Sequence, residues 1–142
     1  MTRRVLHPSD FSSASDAAFK KAIDMAKASR AELLVAHVIV PVSGEELSLQ
    51  MYEDIRASIR ARVSKQLDRL VAKAKKSGVR ATALLAEGVP HEQIVHLAKT
   101  KRADLVVMGT HGRSGLAKLF LGSVAGRVVA AAPCPVLTVR GG

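Results

Sequence analysis

Short apolar runs alternate along this chain with longer stretches of helical period, and that alternation restricts the possible folds more than any other feature. "RRVLHP" reads as a strand, and "SSASDAAFKKAIDMAKASR" follows with Ala18, Phe19, Ala22, Ile23 and Ala26 on one helical face. Ser13, with Asp16 three residues on, resembles a capping box at that helix start. "AELLVAHVIV" is nearly continuous in apolar residues, the pattern of a strand covered on both faces. Tyr52, Ile55, Ile59, Val63, Leu67, Leu70 and Ala74 then recur at steps of three and four, which predicts one long amphipathic helix ended by Gly78. "VRATALLAE" reads as a strand, "VPHEQIVHLAKTKR" as a helix with Pro90 in its first turn, and "ADLVVMG" as a strand. A helix over "GSVAGRVVAAA" and a fifth strand over "CPVLTVR" complete a β-α-β-α-β-α-β-α-β order. Such alternation specifies a parallel sheet, and right-handed crossovers make it a doubly wound α/β domain with helices on both faces.

One domain over residues 1–142 accounts for the whole chain: 48% hydrophobic residues suffice for a buried core, and no linker or low-complexity tract interrupts it. The single Cys134 can form no internal disulfide, and its apolar surroundings, "AAAPCPVL", do not favour a reactive thiol. No apolar run is long enough to span a bilayer, and "MTRR" is followed by no signal-peptide core, so a cytoplasmic protein is expected. The net charge of +10 favours anionic partners. The cations are scattered, however, and 3% aromatic residues argue against base-stacking platforms, so neither a nucleic-acid nor an acidic-surface binder is the leading expectation.

In doubly wound sheets ligands bind beyond the carboxyl ends of the strands, where the strand order reverses. The residues just after strands one, two and four are "PSDFS", "HVIVPV" and "MGTHGRSG". The last begins a Gly109-x-x-Gly112, nine residues, Gly122-Ser123 spacing. It is not a P-loop, because no glycine precedes Lys118, and not a dinucleotide fingerprint, because the glycine steps are wrong and follow the fourth strand. Glycines at 109 and 112 let backbone N–H groups approach an anion, and Gly122-Ser123 sits at a helix start whose unpaired N–H groups can face a phosphate. Alternatively, Gly109 is a strand-end turn, Gly115 a loop residue, Ser123 a helix cap and Gly126 a packing glycine. Asp10 likewise fits either a ligand role or an Asx-type cap in "SDFSS". Arg113 and Lys118 could meet phosphate or simply face solvent. His37 suits a satisfied core histidine. His91 and His96, five apart, do not make a ligand pair on one helical face.

"GTHGRSGLAKLFLGS" resembles the Gly-x2-Gly-x9-Gly-Ser/Thr motif of the ATP-binding branch of the universal stress protein family. "HPSDFS", "LLVAHVI" and "APCPVLTVR" resemble family segments in the same order. The resemblance implies a five-stranded sheet of order 3-2-1-4-5 and a bound adenine nucleotide. It places Asp10 and Val38 at the nucleoside, Met108 in the adenine pocket and Gly109 by the ribose. Gly112, Arg113, Gly122 and Ser123 would hold the phosphates. A carboxylate at Asp10 near a polyphosphate is repulsive unless it faces the base or ribose instead or a cation lies between, and a hard cation such as Mg²⁺ would supply the latter. The resemblance also implies a homodimer paired through the last strand, and a stress-response or signalling module acting on an unidentified protein partner. An alternative is a slow ATPase or transferase using Asp10, a metal and His111, though the Walker lysine is absent.

Overall fold

The computed structural model describes residues 2–43, 46–110 and 122–141. Five parallel strands, β1 (Arg4–Pro8), β2 (Glu32–Ile39), β3 (Ala81–Glu87), β4 (Leu105–Gly109) and β5 (Val136–Val139), form one sheet of order β3-β2-β1-β4-β5. Four helices connect them: α1 (Ser13–Ser29), α2 (Leu49–Lys76), α3 (Pro90–Thr100) and α4 (Ser123–Ala131). The expected fold class and strand order are both present.

The strands differ in burial as their positions require. Central β1 is buried from Val5 to Pro8 and β2 from Leu33 to Ala36, whereas the edge strand β5 is half-buried throughout. One core cluster joins Val5, Val35 and Val107 to Phe19 and Ala22 of α1 and to Val63 and Leu67 of α2. The other joins Leu6, Leu34 and Val106 to Ile94 of α3 and Val128 of α4. Helices on both faces therefore leave each central strand dry, which is why those strands read as unbroken apolar runs.

His7 lies wholly inside the first cluster's face of β1. Its Nδ1–H donates to the Val107 carbonyl at 2.9 Å and its ring tilts against Phe19, while Nε2 is buried without a hydrogen-bond partner among the described residues. Burial holds its pKa down at about 4, against which the Val107 bond and the charges of Asp10 and Asp16 act only in part.

Two local expectations need correction, at the start of α1 and at Gly126, while the long amphipathic helix ended by Gly78 is present as α2. The cap of α1 is Ser12, whose hydroxyl accepts from Ser15 N–H at 3.2 Å, so Ser13 and Asp16 form no capping box. The apolar stripe of α2 is buried only at Val63, Leu67 and Ala74. At 28 residues this helix is about 42 Å long and overshoots the eight-residue β2 of about 26 Å, which leaves Leu49, Met51 and Ile55 exposed. A Cβ built on Gly126 meets nothing within 4 Å among the described residues, so that glycine serves no close helix packing.

Candidate functional site

The strand order reverses between β1 and β4, and a cleft of about 680 Å³ opens there, beyond the carboxyl ends of β1, β2 and β4. Asp10, Val38, Met108, Gly109, Gly122 and Ser123 all line it. Gly112 and Arg113, with His111, Gly115 and Lys118, fall outside the described residues.

Asp10 owes its place to the turn between β1 and α1. Its Oδ1 accepts from Ser12 N–H at 3.0 Å and from the Ser15 hydroxyl at 2.7 Å, while Phe11 turns the backbone with a φ of 63°. The Asx-type role is therefore real, and the same carboxylate faces the cleft. A left-handed conformation is unusual for a bulky residue. Here it seats the Phe11 ring on His37, stacked with centroids 4.5 Å apart. His37 Nδ1–H donates to the Ser9 carbonyl at 2.7 Å. This histidine is satisfied as expected, but it is half-buried on the cleft wall. The fully buried core histidine is His7.

Gly109 and Gly122 meet where the chain leaves and rejoins the described fold. Thr110 N–H is tied to Val139 O at 3.0 Å, and Gly122 N–H donates to Thr110 O at 2.6 Å. A Cβ on Gly122 would stand 2.6 Å from that carbonyl oxygen, and one on Gly109 would stand 3.3 Å from Ala14 O of α1. Both glycines thus have reasons within the fold itself: backbone passes too close for a side chain.

The helix starts differ in a way that bears on anions. α1 and α2 are capped by the hydroxyls of Ser12 and Ser48. α3 and α4 begin at Val89 and Gly122 with no side-chain cap, and both starts, through Pro90 and Ser123, line the cleft. The first N–H groups of α4 and its positive dipole end are accordingly available to a negative group in the cleft. The same cleft is lined by the apolar side chains of Val38, Ile39, Val40, Ile94 and Met108, of which Val38, Ile94 and Met108 pack in one cluster with α4. One end of the cleft suits an anion and its wall suits a flat apolar ring. α2 adds Arg62 and Gln66, which the linear sequence did not single out, since periodicity does not reveal which turn of a long helix reaches the strand ends.

Asp10 is the sole carboxylate among the described lining residues, and no cluster of three or more potential metal ligands exists among the described residues. Cys134, half-buried with its thiol pKa raised by burial, lies away from the cleft as a packing residue beside Leu6's cluster. No described helix is long and apolar enough to cross a membrane.

A doubly wound parallel sheet with a cleft at its switch point defines an α/β protein of the Rossmann-like class. The chain matches the Universal stress protein family over residues 1–140 and belongs to that family. Universal stress protein MJ0531 of Methanocaldococcus jannaschii is 36% identical to it, the match covering 97% of this chain and 82% of the relative. Universal stress protein UspA from Lactobacillus plantarum superposes with a TM-score of 0.87 at 25% identity, over 98% of each chain. A universal stress protein solved in complex with cAMP superposes with a TM-score of 0.75 at 27% identity, over 99% of this chain and 98% of that one.

Proposed function

We propose that this protein is an ATP-binding universal stress protein, a homodimeric signalling module whose surface depends on nucleotide occupancy. The observation that carries the reading is the uncapped N-terminus of α4, with Ser123 at its first turn, on a cleft at the switch point whose lining is otherwise largely apolar. The cAMP complex of a similar protein supports an adenine nucleotide as the ligand class. In this reading Val38 and Met108 flank adenine, Gly109 admits the ribose, and Gly112, Arg113, Gly122 and Ser123 hold the phosphates. Mg²⁺ would be carried by phosphate and water, with Asp10 as the nearby carboxylate, and would supply charge neutralisation.

Mass analysis of small molecules released from freshly purified protein should find an adenine nucleotide, and calorimetry with ATP and Mg²⁺ should find saturable binding. Ser123→Ala should weaken that binding by roughly tenfold with the fold unchanged, because one hydroxyl to a charged phosphate is lost. Ser123 is the better probe than Gly122, whose replacement strains the contact with Thr110 whether or not a ligand is bound. Absence of both released nucleotide and binding heat overturns the reading.

A further inference from the structure

The opposite end of the sheet carries a separate concentration of charge. A cavity of about 390 Å³ lies at the amino-terminal ends of the strands, lined by Arg3, Arg4, Arg30 and Arg80 with Ser29 and a single carboxylate, Glu32. The arginines come from three neighbouring places: the start of β1, the turn that ends α1 and the residue before β3.

Their backbones are held. Arg3 and Arg4 donate their N–H groups to Asp104 Oδ2 at 2.8 and 3.0 Å, Arg3 O accepts from Glu32 N–H at 2.9 Å, and Arg80 O accepts from Leu33 N–H at 2.8 Å. Internal pairing uses little of the charge. Glu32 sits 3.6 Å from Arg4 and also accepts from the Thr82 hydroxyl at 3.1 Å. Arg4 and Arg80 reach backbone carbonyls of Lys101 and Arg30. The guanidinium groups of Arg3 and Arg30 make no hydrogen bond or ion pair with other described residues. Four guanidinium groups thus share the cavity lining with one carboxylate, Glu32, while Asp104 lies beside it on the Arg3 and Arg4 backbone with its charge also acting on Arg3.

Cations near helix ends commonly just offset the dipole, and Arg30, as the residue ending α1, would do so. Arg4 and Arg80 also serve helix ends, because their guanidinium groups bond the carbonyls of Lys101 and Arg30, the residues that end α3 and α1, whereas Arg3 bonds no described helix end. Arg30 itself has a φ of 53°, a left-handed conformation that costs an L residue free energy and costs glycine none. After α2 the chain uses Gly78 in a left-handed conformation. At the ends of α1 and α3 it accepts the strain with Arg30 and with Arg102, also at φ 53°, and of the two Arg30 lines the cavity. The basic lining groups are all guanidinium, whose planar forks fit phosphate oxygens two at a time.

We propose that this cavity is a second anion site, distinct from the nucleotide cleft, for a small ligand carrying two or more phosphate groups, bound by Arg3, Arg4, Arg30 and Arg80. Its concave shape and modest volume favour a compact polyphosphate or multiply phosphorylated small molecule over a nucleic-acid duplex or a membrane surface, which would need a broad basic face.

The test is a titration of the isotope-labelled full-length protein with sodium tripolyphosphate at constant ionic strength, followed by amide NMR shifts. The amides of Ser29 to Glu32 and of Arg80 should move saturably, apart from any change at residues 8–10 and 122–125 of the cleft. Inorganic phosphate should bind the same amides at least roughly tenfold more weakly, because it engages fewer guanidinium forks. Arg30→Gly relieves the backbone strain and so keeps the fold. Together with Arg80→Gln it should weaken tripolyphosphate at this end by at least roughly tenfold while leaving shifts in the cleft as in the wild type. Unmoved or non-saturating amides at this end, or variants that bind as the wild type does, overturn the site. Tighter binding through the same amides by a DNA duplex or by phosphatidylserine vesicles overturns the small-ligand assignment. Because the two ends report separately, loss of ATP binding in the cleft leaves this test intact.

Discussion

His7 is an imidazole that the fold keeps neutral by burial, and its cost appears only when the medium becomes acidic. The folded pKa is about 4 against an ordinary value of 6.5, so between those values the unfolded chain binds a proton that the folded one refuses. Stability is then full above pH 6.5 and falls as pH drops toward 4, by about 3 kcal/mol at 1.36 kcal/mol per pH unit. Urea denaturation of His7→Met should show about 1 kcal/mol lost at pH 7, because the Val107 carbonyl loses its donor, but a visibly flatter acid limb. An acid limb unchanged from wild type would assign the acid sensitivity to other groups. The glycines divide as sharply. Gly122→Ala should cost about 1–3 kcal/mol through its contact with Thr110 O, whereas Gly126→Ala, with no described residue within 4 Å of the added Cβ inside α4, should raise stability by up to about 1 kcal/mol. Thermal unfolding of the two variants checks both signs at once.

At the scale of elements, each helix start is set by what lies before it. Ser12 accepts from Ser15 N–H, and its replacement by alanine should cost about 1 kcal/mol in chemical denaturation, with Asp10 still turned by Ser15. An unchanged midpoint would mean that solvent caps α1 equally well. Nearly every element was legible in the linear sequence because each buries a surface of the right period: 3.6 for Ala18, Phe19, Ala22 and Ala26, continuous for β1 and β2. The exact start of α1 was not, since Ser12, Ser13 and Ser15 can all cap a helix, and the choice falls to the Asp10 turn and the left-handed Phe11. Nor could a strand buried on both faces announce that His7 turns into the core while His37 reaches the cleft. Six of the eight candidate site residues line one cleft because strand ends were legible, and strand ends of a parallel sheet converge. Arg62 and Gln66 escaped notice because their contribution depends on the angle at which α2 crosses the sheet.

For the whole molecule, the two ends of the sheet differ in chemistry, and the edge strand β5 is where the proposed dimer is open to test. The carboxyl ends gather uncapped helix starts around an apolar-walled cleft, while the amino ends gather arginines. β5 is an edge strand with all four residues half-buried, and an unpaired edge is a template for another strand. Its register decides which groups are free to pair. Val106 N–H donates to Pro135 O and Thr110 N–H to Val139 O, so the odd-numbered residues of this parallel ladder turn their polar backbone groups toward β4. Val136 and Thr138 therefore turn theirs outward, where the β5 strand of a second copy would meet them in the proposed dimer. Thr138→Pro removes the outward N–H at the centre of that edge and leaves the β4 ladder whole. By sedimentation, the wild type at tens of micromolar, a concentration typical for a specific dimer, should have about twice the 15.1 kDa chain mass, and Thr138→Pro should have the mass of one chain with an unchanged circular dichroism spectrum. A wild type that sediments as one chain, or a proline variant that remains paired, removes β5 from the interface and returns its edge to solvent.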